Sequence, residues 1–454
     1  MTDKGIRTAF SRFMSDYGMV FVLVLLCVFF SYVTYKKQSP AGATAGQMLA
    51  NDILAKHSGA RVVILAVESE EARAFGDALQ HNLEAGGASV VQRIHGNAPA
   101  LNKALAELAE NGTAVDIIAC SEKIADRAFV QNRASRYANL AHTKVLTPKA
   151  YYWPDFLKVS NLHGVANRIP VIAIIAIGMT LVIITAGIDL SVGSLIALSA
   201  VLTAFCIRKF AGAEEATTEG MVLCCFAGAG ACALLGGFSG SMVTFLGVPA
   251  FIATLSMMLI ASGLAYILSD SESIYQVPES FTAFGRGSFL GLQNPVVLTI
   301  LLYIIAHVLM TRTVFGRYVY AVGGNREAAR LSGVPVRRVL LLCYTICGGL
   351  AGVGGVIRAS ELKSGAPTFG FMTELDVIAA VVVGGTSLLG GEGKILGTLI
   401  GALIIAVIRN GMNLTDIESN TQKVVLGLVI VSAVILDRLK KHRWSISRLV
   451  EASV

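Results

Sequence analysis

The 454-residue chain is 54% hydrophobic and 15% charged, with a mean hydropathy of +0.66. A soluble domain carries charge on about a quarter of its residues, so this composition excludes a wholly soluble protein. The formal charge of +7 comes from Lys and Arg residues that flank apolar runs, which reads as membrane orientation and not as a nucleic-acid surface.

Chain order begins with Lys4, Arg7 and Arg12, followed by an apolar run from Tyr17 to Thr34. A secretory signal shares that layout, and Ala41-Thr-Ala43 faintly resembles a cleavage box. The run is longer than a usual signal core, so residues 1–35 are expected to hold a retained first membrane helix. Residues 36–155 differ in kind. Val62–Val67 is a short β-branched apolar run, as in a buried strand. Helical spacing follows from Glu70 and stops at Gly86-Gly87. Val90, Val91 and Ile94 suggest a second strand, Leu101, Leu105 and Leu108 a second helix, and Val115–Cys120 a third strand. This alternation predicts a small inserted α/β domain with a parallel sheet.

Apolar runs of about 20 residues, the length that crosses about 30 Å of hydrocarbon, then follow in quick succession. They occupy 168–187, 190–208, 220–245, 249–268, 294–311, 338–358, 375–390, 395–413 and 421–437. With the first run this predicts an all-α polytopic membrane protein of about ten transmembrane helices, with a membrane body over 156–440 and a tail over 441–454. Gly-rich spans among them are candidates for broken or re-entrant segments. Spacings such as Gly348, Gly352, Gly355 and Gly397, Gly401 suit close helix approach.

Arg312, Arg317, Arg326, Arg330, Arg337 and Arg338 cluster in the connection 312–338. Arg438, Lys440, Lys441, Arg443 and Arg448 follow the last span. Both segments are expected in the cytoplasm, and an even number of spans places the N-terminus there too. Residues 36–155 then fall outside, as do connections 269–293 and 359–374.

No catalytic constellation emerges. Gly-Gly-Glu-Gly-Lys394 lacks the Ser or Thr that follows the Lys of a phosphate loop, and Leu388 stands where its first Gly belongs. The seven histidines form no ligand pair, and Cys343 and Cys347 read as packing residues. The expectation is no catalytic residue, no metal and no cofactor of the chain's own, so any ATP would be bound by a partner. The strongest local signal is Gly323-Gly-Asn-Arg-Glu-Ala-Ala-Arg-Leu-Ser-Gly333, a short stretch with small residues on one face and charge on the other. Such a helix suits docking in a partner's groove, although an amphipathic surface turn has the same pattern.

Its Glu-Ala-Ala-xxx-Gly element resembles the coupling motif of ABC importer permeases. Gly178–Ser194, with Gly-Ile-Asp-Leu-Ser at 187–191, resembles the signature of the ribose/xylose/galactose branch, as do Val248–Leu255 and Glu374–Gly391. Ala186 stands where the family usually has Gly, and Gly237-Phe-Ser-Gly240 where it often has Asn-Gly. The resemblance covers roughly 156–440 and the first span. It implies a type II importer-like permease dimer, homo- or heteromeric, in the lipid bilayer of a bacterial inner membrane. A separate ABC ATPase would dock on the coupling residues Gly324, Asn325, Glu327, Ala328, Ala329, Arg330 and Gly333. A periplasmic sugar-binding protein would deliver the solute, with Glu374 and Asp376 as candidate contacts for it. Asp189, Ser191 and Thr254 are candidates for the pathway, although a helix cap is the plainer reading of Asp189 and Ser191. Family members have a short link where this chain has 36–155, whose strand–helix order resembles part of one lobe of a sugar-binding protein. A docking platform, a remnant and a half-site completed by a second copy are all open for it. An ATPase-independent transporter or channel, and a membrane-anchored sugar sensor, are the competing classes.

Overall fold

The computed structural model describes the backbone of residues 3–451 and the side chains of residues 18–435. Lys4, Arg7, Arg12 and the basic residues from Arg438 to Arg448, including those of the tail 441–454, lie outside the described side chains. The chain divides into two compact units, Met1–Thr34 with Phe156–Val454, and Tyr35–Asp155. Helix α1 (Asp3–Val33) opens the first unit, and Phe21, Val24, Leu25 and Val28 along it are exposed.

The second unit is an α/β layer. In chain order it comprises β1 (Tyr35–Gln38), α2 (Gly42–Lys56), β2 (Arg61–Ala66), α3 (Glu70–Ala85), β3 (Ser89–His95), α4 (Ala98–Glu110), β4 (Ile117–Cys120), β5 (Lys144–Leu146) and β6 (Tyr151–Pro154). The sheet order β3-β2-β4-β5 is parallel throughout. Period-2 alternation explains why both of its faces are covered. Val62 and Ile64 pack with Leu49, Ile53 and Leu79 on one side, while Val63 and Leu65 pack with Leu101 and Leu105 on the other. Ser69 caps α3 by accepting the Ala72 N–H, and Asn97 caps α4 by accepting that of Ala100. β1 and β6 form a separate antiparallel ribbon.

The first unit continues with α5 (Val159–Arg168), α6 (Pro170–Ile184), α7 (Val192–Phe210), α8 (Thr218–Phe245), α9 (Ala250–Leu268), α10 (Asn294–Arg312), α11 (Val314–Gly324), α12 (Arg326–Leu331), α13 (Val336–Leu362), α14 (Thr373–Val383), α15 (Ile395–Leu414) and α16 (Ser419–Glu451). Among the described residues six helices are long and apolar enough to cross a membrane, or seven if α5 and α6 count as one bent span. The bend is 40° and falls at Pro170, which lacks the donor an unbroken helix needs. The architecture is that of a mostly helical, polytopic membrane protein.

One expected span is corrected. Residues 375–390 yield only the 11-residue α14, which stops at Gly384 and Gly385, the latter at φ +85°. At 1.5 Å per residue that is about 16 Å, half a crossing. A non-helical segment, 384–394, continues from it to α15. A second non-helical segment, 185–191, separates α6 from α7.

Helix α13 is the centre of the bundle and is buried over most of its length. Gly348 lies against Gly236, and Gly352 against Ala229, so α8 runs antiparallel to α13. Gly178 lies against Cys347 and Ile175 against Gly354, so α6 is antiparallel to it as well. The end of α6 therefore lies at the starting end of α13, beside α11 and α12. At the other end Phe30, Phe156 and Val407 cluster, and the Phe156 N–H donates to Thr34 Oγ1 at 3.1 Å.

Candidate functional site

Asn325 has extended backbone (φ −154°), and its Oδ1 accepts the Ala328 N–H at 2.9 Å, which starts α12. Gly333, at φ +83°, closes the turn after it. Within this six-residue helix only Ala329 is buried, at 5% exposure, and it anchors the turn to the bundle. Gly324, Asn325, Glu327, Ala328, Arg330 and Gly333 are exposed. Glu327 and Arg330 pair at 2.7 Å on the open side, next to Leu331, which is 83% exposed. A small-residue contact inward and a charged, partly apolar face outward make α12 a surface that a second protein can grip.

The three pathway candidates come together at segment 185–191. Asp189, Ser191 and Thr254 are each 0% exposed. Asp189 Oδ1 accepts the Ser191 N–H at 2.9 Å and the Ser191 hydroxyl at 2.6 Å, leading the chain into α7. Thr254, near the start of α9, donates to Ile188 O at 3.2 Å. Asp189 Oδ2 has no partner among the described residues, although Cys347 stands beside the carboxylate. The Tyr344 hydroxyl, which abuts Gly187, is also without one.

Segment 384–394 reaches the same region. The Gly391 N–H donates to Ile184 O at 2.8 Å, and the Tyr320 hydroxyl of α11 donates to Gly393 O at 2.8 Å. These contacts join residues far apart in the chain, and the only hint of them in the sequence is the density of glycines.

Glu374 and Asp376 lie in the first turn of α14. Asp376 is 8% exposed and pairs with Arg409 of α15 at 2.5 Å. It lines a cavity with Arg168, Arg358 and Thr373. Glu374 is half-buried beside Gly193. Arg409 is the single Arg inside the apolar run 395–413, a signal in the sequence that a charge partner waits nearby. Among the described residues no group of three or more His, Cys, Asp or Glu residues is placed to hold a metal ion.

Residues 161–434 match the family model described as a branched-chain amino acid transport system / permease component. The ribose import permease protein RbsC of Escherichia coli (strain K12) is 41% identical over 292 residues, covering 63% of this chain and 88% of that protein. RbsC of Bacillus subtilis (strain 168) is 44% identical over 289 residues, covering 63% and 87%. The L-arabinose transport system permease protein AraH of Escherichia coli (strain K12) is 39% identical over 292 residues, covering 64% and 87%. No solved structure matches. These matches agree with the resemblance carried by Gly187–Ser191 and by Glu327–Gly333, and the chain belongs to this family of transport-system permease components.

Proposed function

We propose that the chain is the membrane-spanning subunit of an ATP-driven importer for a monosaccharide or a similar small polyol, powered by a separate ATPase docked on 312–338. The observation that carries this reading is α12, whose Ala329 is held in the bundle while Glu327 and Arg330 stay open to a partner. The class of solute rests on the relatives, which are named as ribose and L-arabinose permeases.

Ten crossings would comprise α1, the bent α5–α6 pair, α7, α8, α9, α10, α13, α14 with its following segment, α15 and α16. Both chain ends would then be cytoplasmic, in a bacterial inner membrane. Arg312, Arg317, Arg326, Arg330, Arg337 and Arg338 support this by marking the α11–α12 end as the cytoplasmic one. Thr34 and Phe156, which flank the α/β unit, meet at the opposite end, which supports an outside position for residues 36–155. A second permease subunit and an external sugar-binding protein complete the proposed assembly, and the α/β unit is read as a docking platform or a remnant.

The test is co-purification with the ATPase, together with ATP-dependent uptake of D-ribose, L-arabinose and D-allose into vesicles. Glu327→Arg should abolish ATPase association while the permease still inserts. Unchanged association would count against the docking site.

A further inference from the structure

We infer that Gly323 is the positioning residue through which movement of the α11–α12 segment reaches both internal breaks of the bundle at once. The inference rests on the ATP-driven reading above. Gly323 lies at the end of α11. A Cβ built there would collide with Ile184 O, the last carbonyl of α6, and stand 2.6 Å from Gly391 N. Ile184 O is also the acceptor of the Gly391 N–H. Gly390, at φ +84°, sits so close that a side chain on it would meet both Ala186 and Gly323 O at 2.9 Å. Three stretches of backbone therefore touch with no side chain between them: the end of α11, the start of 185–191, and 384–394. Tyr320, one turn earlier on α11, ties the same helix to Gly393.

Two observations separate this junction from ordinary packing. Non-helical backbone within a membrane protein's body persists only where protein or a water-lined cavity satisfies it, and here two such segments meet the same helix end. Among the described residues, buried polar atoms without partners also stand at these segments: Thr386 Oγ1 and the Tyr344 hydroxyl facing Gly187. Buried polar groups are nearly always paired, so each break carries an atom that a shift of its segment can bring to a partner. A push from α12 would arrive as backbone against backbone, with no side-chain rotamer to absorb it. Gly230 of α8 supplies the contrast, since a Cβ there meets nothing within 4 Å.

The test uses the full chain assembled with its ATPase and its sugar-binding protein in vesicles, with whichever of D-ribose, L-arabinose or D-allose the wild type takes up. For Gly323→Ala, uptake should fall about tenfold while ATP hydrolysis and ATPase association stay at wild-type levels. Gly230→Ala should match the wild type in all three readouts. Wild-type uptake by Gly323→Ala, or loss of ATPase association in step with uptake, would overturn the inference. If Gly323→Ala does not reach the membrane, Tyr320→Phe decides by the same readouts, with about threefold weaker uptake expected and no change in ATP hydrolysis. A wild-type complex with no ATP-driven uptake would remove the underlying functional reading, and that result is distinct from a relay that fails in a working importer.

Discussion

Arg409, near the end of α15, reaches Asp376 in the first turn of α14 with a guanidinium nitrogen 2.5 Å from Oδ1. The carboxylate side chain is 11% exposed and the guanidinium 44%, so the two partners respond differently to loss of the other. Arg409→Gln leaves a buried carboxylate without its cation and should cost about 1–3 kcal/mol. Asp376→Asn leaves a cation that water still reaches and should cost less. Thermal unfolding of the purified permease orders the two variants, and a neutral Arg409→Gln would show that the pair does not hold α14 to α15.

The α8–α13 contact permits a sharper comparison, between adjacent glycines. A Cβ on Gly348 would run into Cys232 O and stand 3.0 Å from Gly236 Cα, both backbone atoms that yield little. A Cβ on Gly349 meets only Ala233 Cβ at 3.4 Å. Gly348→Ala should therefore destabilise the bundle by about 1–3 kcal/mol, while Gly349→Ala stays near wild type. Equal melting temperatures for the two variants would refute the close-approach account.

These sites show which parts of the fold the sequence exposes. Gly348, Gly352 and Gly355 declare themselves by spacing, because a helix interface repeats with the helix itself. β2 is visible at Val62–Val67 because a strand buried on both faces must be continuously apolar. The end of α14 is hidden, since Val381, Val382 and Val383 read as the middle of a span and hydropathy carries no trace of the left-handed turn at Gly385. The β1–β6 ribbon is hidden too, because Lys36 and Lys37 pair with Trp153 and Tyr152 more than a hundred residues away. In the candidate site the motifs single out Asp189, Ser191, Thr254 and α12. The junction of Gly323 with Ile184 and Gly391 is long-range backbone geometry that no local pattern encodes.

Cys120, at the end of β4, is fully buried, and burial pushes its thiol up to about 12. Because the thiolate is the reactive form, maleimide at pH 8 should label Cys120 about a thousandfold more slowly in the folded chain than in denaturant. Peptide mass spectrometry of the labelled full chain reads this directly. Rapid labelling without denaturant would mean that the sheet opens readily at β4.

Asp116, at the N-terminal side of β4, accepts from both the backbone N–H and the guanidinium of Arg61, at 2.8 and 2.9–3.0 Å. Those bonds hold its carboxyl at about 2, below the ordinary 3.8. A depressed carboxylate stabilises the folded state above its unfolded value, and that contribution is lost as pH falls toward 2. The pair is nearly half exposed, so solvent screening keeps the effect below about 1 kcal/mol. Amide hydrogen exchange at Val62, Val63 and Ile64 in the full chain should report constant stability from pH 7 down to about 4, then a decline. In Asp116→Asn that acid-dependent component should vanish while the rest of the profile survives. An identical decline in the variant would assign the acid sensitivity to another carboxylate of the unit.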